Sequence, residues 1–506
     1  MKNKKPYMKK IDNMNSNKNI ILTLALLLMP LMMGAQALHG SYFIDSSVDR
    51  NKLNPAFVPR SNYFQLPAIG NLGVGLYTNW LGAETFLYPL DNGKVATFLH
   101  PEVSVDDFNK KFPERPFFDA DVELNILSFG FFTKRKSFIT FDLGVKADID
   151  TDLPGDLFRF LKQGTGMGGG SFNIANTNLY GNAFVHASLG YSKDMSFLLE
   201  GLRIGARARF IAPMAHAGLN LENARLTYEA DNLKLNTEGY LNVALSGLEL
   251  EIPEVTPETE SLDIKYEYDY TKLLSKPTVG WGYSFDFGFE YVLSVGSFLD
   301  GLTVSAAVVD LGKINYDKPA VASYSTSGEY VWNGFNGVGL DTDFEAGVND
   351  MLKDLKSGLL KLEKQNSGAM SMSTMPRFYA GLEIPFFKRK MSAGLLYSMK
   401  KSYSYARQDL TASLNITPTK GFALGVNYSF LNTDKCLGVV LELTPRVGPA
   451  LRIGTDYIFF QYIETPYLNR KLGVNIPMLP SGRSSLNFNF GLAFNLGSRH
   501  MKNEAK

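Results

Sequence analysis

Bulky apolar residues alternate with small or polar residues along extended stretches of this chain. In residues 486–496 every second residue is Leu or Phe, and Asn, Gly or Ala stands at each position between them. Because successive side chains of a β-strand point to opposite faces, this pattern predicts a strand with one apolar face and one small, polar face. The same alternation returns in residues 139–147, 279–291 and 422–430.

Two kinds of fold contain such strands, a soluble sandwich and a membrane barrel. The alternating stretches run for about 10–13 residues, which matches a strand tilted across a bilayer better than the usual five or six residues of soluble sheets. Their polar faces are rich in Gly, Ser and Asn and contain few Lys or Glu residues, as expected for a lumen rather than a wet surface. We therefore favour a membrane barrel over a periplasmic sandwich.

The chain contains fourteen such segments, and the connections between them alternate in length. The predicted strands are 66–78, 121–132, 138–149, 178–192, 201–212, 278–292, 301–311, 376–386, 391–400, 408–417, 421–431, 436–444, 450–459 and 485–497. The connections on one side are short, whereas the other side carries the long insertions 79–120, 150–177, 213–277, 312–375 and 460–484. This layout predicts an all-β, fourteen-stranded antiparallel transmembrane β-barrel over residues 66–498.

The first 37 residues have the composition of a secretory leader. Six lysines precede an apolar run at 20–33, and Ala35, Gln36 and Ala37 then supply a site that signal peptidase accepts. We predict a signal peptide at 1–37, a mature barrel in the cell outer membrane of a Gram-negative organism, and a periplasmic tail at 499–506.

Net charge and residue usage argue against several other functions. Lys and Arg number 51 against 50 Asp and Glu, and a net charge of +1 gives no reason to expect a nucleic-acid partner. One cysteine and five scattered histidines offer no metal-site spacing. The Gly-rich string at 164–169 lacks the helix that a nucleotide site requires. We expect no catalysis, no cofactor and no metal.

Three short stretches resemble a known group of barrels. They are Leu53-Asn54-Pro55-Ala56-Phe57, Val308-Val309-Asp310-Leu311-Gly312 and Gly491-Leu492-Ala493-Phe494-Asn495-Leu496. Through them the chain resembles the fourteen-stranded outer-membrane barrels typified by the FadL long-chain fatty-acid transporters, with the PorV-type barrels of type IX secretion as a second branch. It looks most like an uncharacterised group of such barrels.

The resemblance implies a hatch and a route of membrane insertion. In this family an Asn-Pro-Ala stretch marks an N-terminal segment that enters the barrel, so residues 38–65 are expected to form a hatch or plug. Its marker residues are Asn54, Pro55, Ala56 and Phe57. Gly491, Phe494 and Leu496 are similar to the closing-strand signal read by the barrel-assembly machinery, the expected partner alongside outer-membrane lipid. The hatch is either a movable gate or a static plug.

An amphipathic helix is predicted in the outer loop 312–375. Its apolar stripe has 3–4 spacing and consists of Phe344, Val348, Met351, Leu352, Leu355, Leu359 and Leu362. In FadL transporters the corresponding loop forms a landing groove for a fatty acid, so the resemblance implies that this stripe receives an acyl chain. Alternatively, the stripe packs on the barrel rim or on loop 213–277.

Three arginines, Arg203, Arg207 and Arg209, share the polar face of one predicted strand and are expected to point into the lumen together. Guanidinium groups bind carboxylates and phosphates bidentately, so the cluster suits the headgroup of a ligand. It is equally suited to ion pairs with acids of the lumen. These acids include Asp142, Asp286, Glu290 and Glu442.

Taken together, the sequence predicts uptake or transport of a hydrophobic small molecule, as in FadL-like barrels. One alternative is a secretion-associated barrel that binds secreted proteins or a secretion complex, as PorV-type barrels do. Another is a passive structural or adhesion barrel. A continuous apolar path into the lumen would favour transport, whereas a lumen packed with charge would count against it.

Overall fold

The structure is a computed structural model, which describes residues 39–497 apart from several short gaps and three longer ones. The gaps are 66–69, 81, 90–94, 135–136, 164–169, 230–231, 246–247, 252–264, 269–274, 295, 297–299, 318–320, 333–361, 365–367, 404, 431–435, 459–461, 465–477 and 481–484.

Fourteen antiparallel wall strands form a closed barrel, because the last strand pairs with the first. They are β1 (Asn62–Gln65 and Leu72–Thr78), β2 (Phe117–Phe132), β3 (Ser137–Asp152), β4 (Thr177–Asp194), β5 (Leu202–Glu229), β6 (Gly280–Val292), β7 (Thr303–Tyr316), β8 (Met370–Ser373 and Arg377–Phe386), β9 (Met391–Lys401), β10 (Ala406–Thr419), β11 (Phe422–Ser429), β12 (Cys436–Leu443), β13 (Val447–Ile458) and β14 (Leu486–Gly497). The predicted strand number and fold class are confirmed.

The two ends of the barrel differ in the length of their connections. One end has the short turns 133–136, 195–201, 293–302, 387–390, 420–421 and 444–446, and the other end carries every long connection. Short turns face the periplasm in barrels of this class, so the long connections lie on the extracellular side.

The outer surface of the wall is apolar, as strand β6 illustrates. Trp281, Phe285 and Phe287 are between 42% and 51% exposed on its outward face, whereas Ser284 and Asp286 on its inward face are fully buried. Large aromatic groups on the outside and polar groups inside are what a bilayer requires of a barrel. The protein is therefore an outer-membrane β-barrel. Among the described residues no helix is long and apolar enough to cross a bilayer.

A sheet extends from the wall on the extracellular side. Strand β5 pairs with β6 only as far as Ile211, and it then continues to Glu229 beside a new partner strand, Asn232–Leu245. That partner pairs in turn with Val321–Trp332, so the sheet rises beyond the barrel end. The remaining strands are Leu87–Pro89, Val95–Thr97, Gly170–Asn173, Leu248–Glu251, Lys265–Tyr268, Leu362–Lys364, Tyr462–Glu464 and Met478–Pro480.

The described helices are short and belong to the N-terminal segment and the outer connections. They are Arg50–Leu53, Ala83–Phe86, Val105–Lys111 and Gly155–Gln163, together with a 3₁₀ turn at His39–Ser41. The outer connections form a small apolar cluster of their own, in which Phe108 and Phe112 stack with ring centroids 5.1 Å apart.

Candidate functional site

Of the hatch predicted at 38–65, residues 39–61 lie in the lumen and are called the hatch below, whereas Asn62–Gln65 belongs to wall strand β1. Tyr42 and Phe57 are almost completely buried, and their rings meet edge to face with centroids 4.9 Å apart. Together with Phe43 and Leu53 they pack on inward-facing wall residues that include Val309 and Leu396. These contacts give the hatch a small apolar core inside an otherwise polar barrel, in which burial of each large side chain contributes about 1.5–3 kcal/mol. The hatch is consequently a folded element.

The predicted marker residues form the turn at the end of the hatch helix Arg50–Leu53. The side-chain amide of Asn54 donates to the backbone oxygens of Phe289 (3.0 Å) and Ala306 (3.4 Å) in the wall. Its Oδ1 atom accepts a hydrogen bond from the backbone N–H of Ala56 at 2.9 Å, which closes the turn around Pro55. Asparagine suits this position because its side chain donates to the wall and accepts from the chain at the same time.

Two wall glycines allow the hatch to approach this closely. A Cβ atom on Gly288 would lie 2.1 Å from Oδ1 of Asn54, and one on Gly205 would lie 2.1 Å from the backbone oxygen of Pro55. Any larger residue at either position would have to push the turn away. The small inward residues predicted from the sequence pattern therefore have a specific role here, since they form the seat of the hatch.

Three ion pairs join the hatch to the wall. Asp49 pairs with Arg452 of β13, and both side chains are at least 95% buried. Lys52 lies 3.4 Å from a carboxylate oxygen of Glu123. Arg50 reaches Glu290 at 3.3 Å. Such pairs connect residues that lie 71 or more positions apart, and nothing in the local sequence pattern reveals them.

The three predicted arginines lie together on the inward face of β5. Arg203 reaches Glu290 at 3.4 Å, and Arg207 reaches Asp286 at 3.3 Å. Arg209 contacts Asp286 at 3.5 Å and also pairs with Asp310. The Nη2 atom of Arg207 donates to the backbone oxygen of Asn51 in the hatch at 3.0 Å. In this structure the three arginines form ion pairs with acids of the wall, and the binding of a ligand headgroup by these arginines stays a prediction.

The first wall strand is interrupted in its middle by a change of register, around residues 66–69, which lie outside the described residues. Between Gln65 and Leu72 six residues of β1 stand opposite three residues of β2 and two residues of β14. Strand β2 carries an extra residue, Ile126, at the same level. Residues 66–69 of the strand predicted at 66–78 lie outside the described residues, and Leu72–Thr78 forms a strand. Beside them, Gly70 and Asn71 supply backbone acceptors to Leu492 of β14 and Asn125 of β2.

Arg452 connects Asn71, at one edge of the interruption, to the hatch. The Nη2 atom of Arg452 donates to Oδ1 of Asn71 at 2.9 Å, while its Nη1 atom pairs with Asp49 of the hatch. The Nε atom of the same guanidinium donates to Asn489 of β14 at 2.6 Å, and Asn489 donates to Asn71 at 3.0 Å. A displacement of the hatch would therefore free one of the groups that hold the interrupted segment.

The extracellular half of the lumen has a polar side and an apolar side. Two connected cavities share Arg209 and Asp310 in their walls, and one of them reaches Arg377 and Lys52. Nearer the mouth, an apolar cluster lines the inner surface of β4, β5 and β7. It contains Phe184, Ile211, Ile314 and Tyr316, with Met370 and Met372 of β8 packed against it.

The predicted loop helix lies largely outside the described residues. Six of its seven stripe residues fall in the gap 333–361, and these are Phe344, Val348, Met351, Leu352, Leu355 and Leu359. Leu362 is described, and it begins the short strand Leu362–Lys364, which pairs with Val321–Trp332. The landing groove accordingly stays a prediction.

Residues 55–449 match a family model described as a family of unknown function, DUF5723. The chain belongs to the DUF5723 family. No curated protein matches the sequence. The match begins at Pro55 in the hatch and ends at Pro449 in β13, so that in this DUF5723 barrel it spans the hatch turn and the first twelve wall strands.

Solved structures with a similar fold are outer-membrane channels of low sequence identity. The P. putida toluene transporter TodX is 10% identical to this DUF5723 chain with a TM-score of 0.32, and the alignment covers 88% of this chain and 93% of TodX. A mutant of the TodX monoaromatic hydrocarbon channel is 9% identical with a TM-score of 0.37, and the alignment covers 92% of this chain and 96% of the mutant. A Pseudomonas aeruginosa FadL homologue is 12% identical with a TM-score of 0.32, and the alignment covers 87% of this chain and 92% of the homologue. The likeness concerns the barrel alone, and neither substrate nor partner is carried over from it.

Proposed function

We propose that this DUF5723 barrel takes up a hydrophobic small molecule and releases it sideways into the outer membrane. The observation that carries the proposal is the change of register in β1, because six of its residues stand opposite two residues of β14, beside a lumen that the hatch closes along its axis. The proposal agrees with the function that the sequence resemblance implies.

The hatch makes an axial route unfavourable for an apolar solute. To pass along the axis, such a solute would have to separate buried ions such as Asp49 and Arg452 or replace the buried partners of Arg207. Separating a buried ion pair leaves an uncompensated charge, which costs several kcal/mol for each pair. A charge-packed lumen therefore opposes straight-through passage of hydrophobic molecules.

A lateral route avoids most of this cost. Between Gln65 and Leu72, Gly70 is the described residue of β1 whose backbone oxygen accepts from β14, at Leu492, while the backbone oxygen of Asn71 accepts from Asn125 of β2. An acyl chain or hydrocarbon that enters the bilayer there gains about 0.8 kcal/mol for each methylene removed from water. Because Arg452 holds both the hatch and Asn71, movement of the hatch is the natural trigger for loosening the wall.

Entry is assigned to the extracellular mouth. The apolar cluster around Phe184, Ile211 and Tyr316 offers a first binding surface inside the mouth. The predicted stripe from Phe344 to Leu362 would extend that surface outward as a landing groove. In this scheme Asn54 and its neighbours in the hatch act as a movable gate, and Arg203, Arg207 and Arg209 provide the headgroup site for an acidic ligand.

Uptake by whole cells tests the proposal. Cells producing the barrel should accumulate a radiolabelled long-chain fatty acid or toluene faster than cells without it, and purified barrel should carry lipid detectable by mass spectrometry. Deleting Pro67, Ala68 and Ile69 shortens the extra segment of β1 and should reduce the uptake to the level of cells without the barrel. Deleting residues 165–167 of an outer connection is the matched control and should leave uptake intact. Equal uptake with and without the barrel would contradict the proposal.

A second candidate function is supported by the extracellular sheet. Strand β5 runs from Ile211 to Glu229 beyond its pairing with β6, and Asn232–Leu245 and Val321–Trp332 widen that sheet. Such a platform fits the binding of a secreted protein, as the PorV-type alternative predicts. Under this alternative, cells with and without the barrel take up hydrophobic molecules equally, and cross-linkers placed on the sheet recover one defined protein in stoichiometric amount.

A further inference from the structure

The periplasmic end of the barrel carries a group of basic turns. Six exposed residues in four of the short turns form what we call the basic arc, and they are Lys134, Lys388, Arg389, Lys390, Lys420 and Arg446. The sequence places no Asp or Glu in these turns, which are 133–136, 387–390, 420–421 and 444–446. Within the part of the chain that the structure describes, no carboxylate forms an ion pair with any of the six. The basic arc is therefore an excess of positive charge that these neighbours do not neutralise.

Hydrogen bonds hold the turns of the basic arc side by side. The backbone oxygen of Lys390 accepts from the backbone N–H of Thr417 at 2.7 Å, and that of Gly421 accepts from Thr444 at 2.8 Å. These bonds join the turns between β8 and β13 in series, and the turn of Lys134 follows after β14 and β1. The charges are consequently lined up along one side of the rim.

The other two periplasmic turns have a different composition. Turns 195–201 and 293–302 contain the acids Glu200 and Asp300 and no Lys or Arg. Phe197 and Leu198 in the first of them are 78% and 71% exposed. The two turns lie between β4 and β7, so the positive charge is confined to the rest of the rim.

The basic arc lies level with the edge of the apolar outer surface. Arg446 directly precedes Val447, which stands opposite Leu496 at the ends of β13 and β14. These two apolar side chains are 65% and 63% exposed, and Phe387, which precedes Lys388, is 71% exposed. Turns of two to four residues cannot carry their side chains far from such groups. Lys and Arg side chains at this boundary extend their charged ends towards lipid headgroups while their stems stay on apolar surface.

The turn that presents three of the charges has an uncommon backbone. Phe387, Lys388 and Arg389 have φ angles of 48°, 56° and 61°. Residues other than glycine seldom adopt this left-handed region, whereas glycine adopts it without steric cost. An aromatic and two basic side chains are thus kept where glycine would be less strained, which indicates that these side chains have a function.

We propose that the basic arc binds a bilayer surface that bears anionic phospholipid, in the periplasmic leaflet of the membrane that the barrel spans. The attraction of Lys and Arg beside a membrane to anionic headgroups grows with the number of basic residues. An acidic protein would also match the charge. The exposed Phe387, Val447 and Leu496 favour lipid, because apolar and aromatic side chains beside basic ones suit the boundary between headgroups and hydrocarbon. This inference concerns the seating of the barrel in the membrane and does not depend on the proposed uptake.

Lipid selectivity of the purified full-length barrel tests the proposal. The barrel is reconstituted in phosphatidylcholine vesicles with a trace of spin-labelled phosphatidylglycerol, which is anionic, or of spin-labelled phosphatidylcholine, which has no net charge. The electron spin resonance spectrum gives the fraction of labelled lipid that the protein immobilises. At low ionic strength phosphatidylglycerol should associate at least about twofold more strongly than phosphatidylcholine. In about 1 M salt the preference should disappear, because the screening length falls to about 3 Å.

Paired variants locate the preference on the basic arc. Lys388→Gln combined with Lys390→Gln should reduce it, and so should Lys420→Gln combined with Arg446→Gln. All four substitutions together should abolish it. Lys388→Arg combined with Lys390→Arg keeps the charge and should retain the preference. Retention of the folded barrel by each variant is checked by its heat-dependent mobility on a gel.

Two lysines on the extracellular side supply the matched control. Lys110 and Lys276 lie 3.5 Å and 3.8 Å from carboxylate oxygens of Asp107 and Asp317. Lys110→Gln combined with Lys276→Gln removes the same charge as either pair from the basic arc, and it should leave the preference unchanged because acids already stand beside both lysines.

Four results would overturn the proposal. The first is equal association of the two lipids with the wild-type barrel, which is the result expected if an acidic protein covers the basic arc instead. The second is a preference that persists in about 1 M salt. The third is a preference that survives all four substitutions, and the fourth is an equal loss in the extracellular control.

Discussion

Arg452 of the wall and Asp49 of the hatch form a buried ion pair, with 5% and 2% of their side chains exposed. The same guanidinium donates to Asn71 at the interruption of β1. Hatch and wall are thereby joined beside the register change in β1.

Replacing Arg452 by alanine should release the hatch. Loss of one partner from a buried ion pair costs about 3–5 kcal/mol, because Asp49 stays behind as an uncompensated charge. Trypsin cleavage after Arg50 and Lys52 should accelerate by at least about tenfold in the folded barrel. The control is Arg159→Ala, which removes a partly exposed pair with Asp156 and should not alter the cleavage. Unchanged cleavage in Arg452→Ala would show that other contacts hold the hatch.

Gly288→Ala should displace the hatch turn without removing any polar group. The added methyl would meet Oδ1 of Asn54 at 2.1 Å, so the turn must move. Spin labels on the hatch and the wall should report a greater separation than in wild type. Gly181→Ala is the matched control, since its methyl would meet its nearest neighbour at 3.9 Å. Identical distances in the two variants would mean that the hatch does not press on Gly288.

Asn54→Ala should loosen the hatch turn locally. It removes two hydrogen bonds to the wall and one to Ala56 and leaves buried backbone groups unpaired, at a cost of about 1–3 kcal/mol for each unsatisfied group. Hydrogen exchange of the Ala56 and Phe57 amides should accelerate, while amides in β10 and β11 keep their protection. Faster exchange throughout the wall would instead indicate damage to the barrel.

Phe287→Arg should destabilise the barrel in lipid. Phe287 lies mid-strand on the outward face of β6 and is 49% exposed, and an arginine at the bilayer midplane costs about 2–4 kcal/mol. Reversible unfolding by urea in lipid vesicles measures the loss. Phe197→Arg, in a periplasmic turn, places the same charge outside the apolar band and should cost less than about 1 kcal/mol. A similar loss for both variants would argue against a lipid-facing position for Phe287.

The wall strands were predictable from sequence because the alternation of apolar and polar residues that defines each strand lies within that strand. Alternation of residues such as Phe285, Asp286 and Phe287 defines which side of a strand meets lipid, and strand number and loop asymmetry follow from repetition of that pattern. The Asn-Pro-Ala stretch likewise pointed to the hatch through a family resemblance.

The remaining features depend on pairings between distant residues. The extension of β5 to Glu229 arises because the strand changes partner after Ile211, and no local pattern records a partner. The interruption of β1 and the pair of Arg452 with Asp49 arise in the same way. The three arginines of β5 were recognised as luminal, but which acids they meet depends on register across strands.

A reversible closure of the wall tests the central claim most directly. Leu72 and Phe490 stand directly opposite each other in the antiparallel pair of β1 and β14, so a double cysteine variant in a Cys436→Ser background should form a disulfide that ties β1 to β14 at the edge of the register change. Uptake of a radiolabelled fatty acid should fall to the level of cells without the barrel under oxidising conditions and return when a reductant is added. Equal uptake in the oxidised and reduced states would contradict release through the wall.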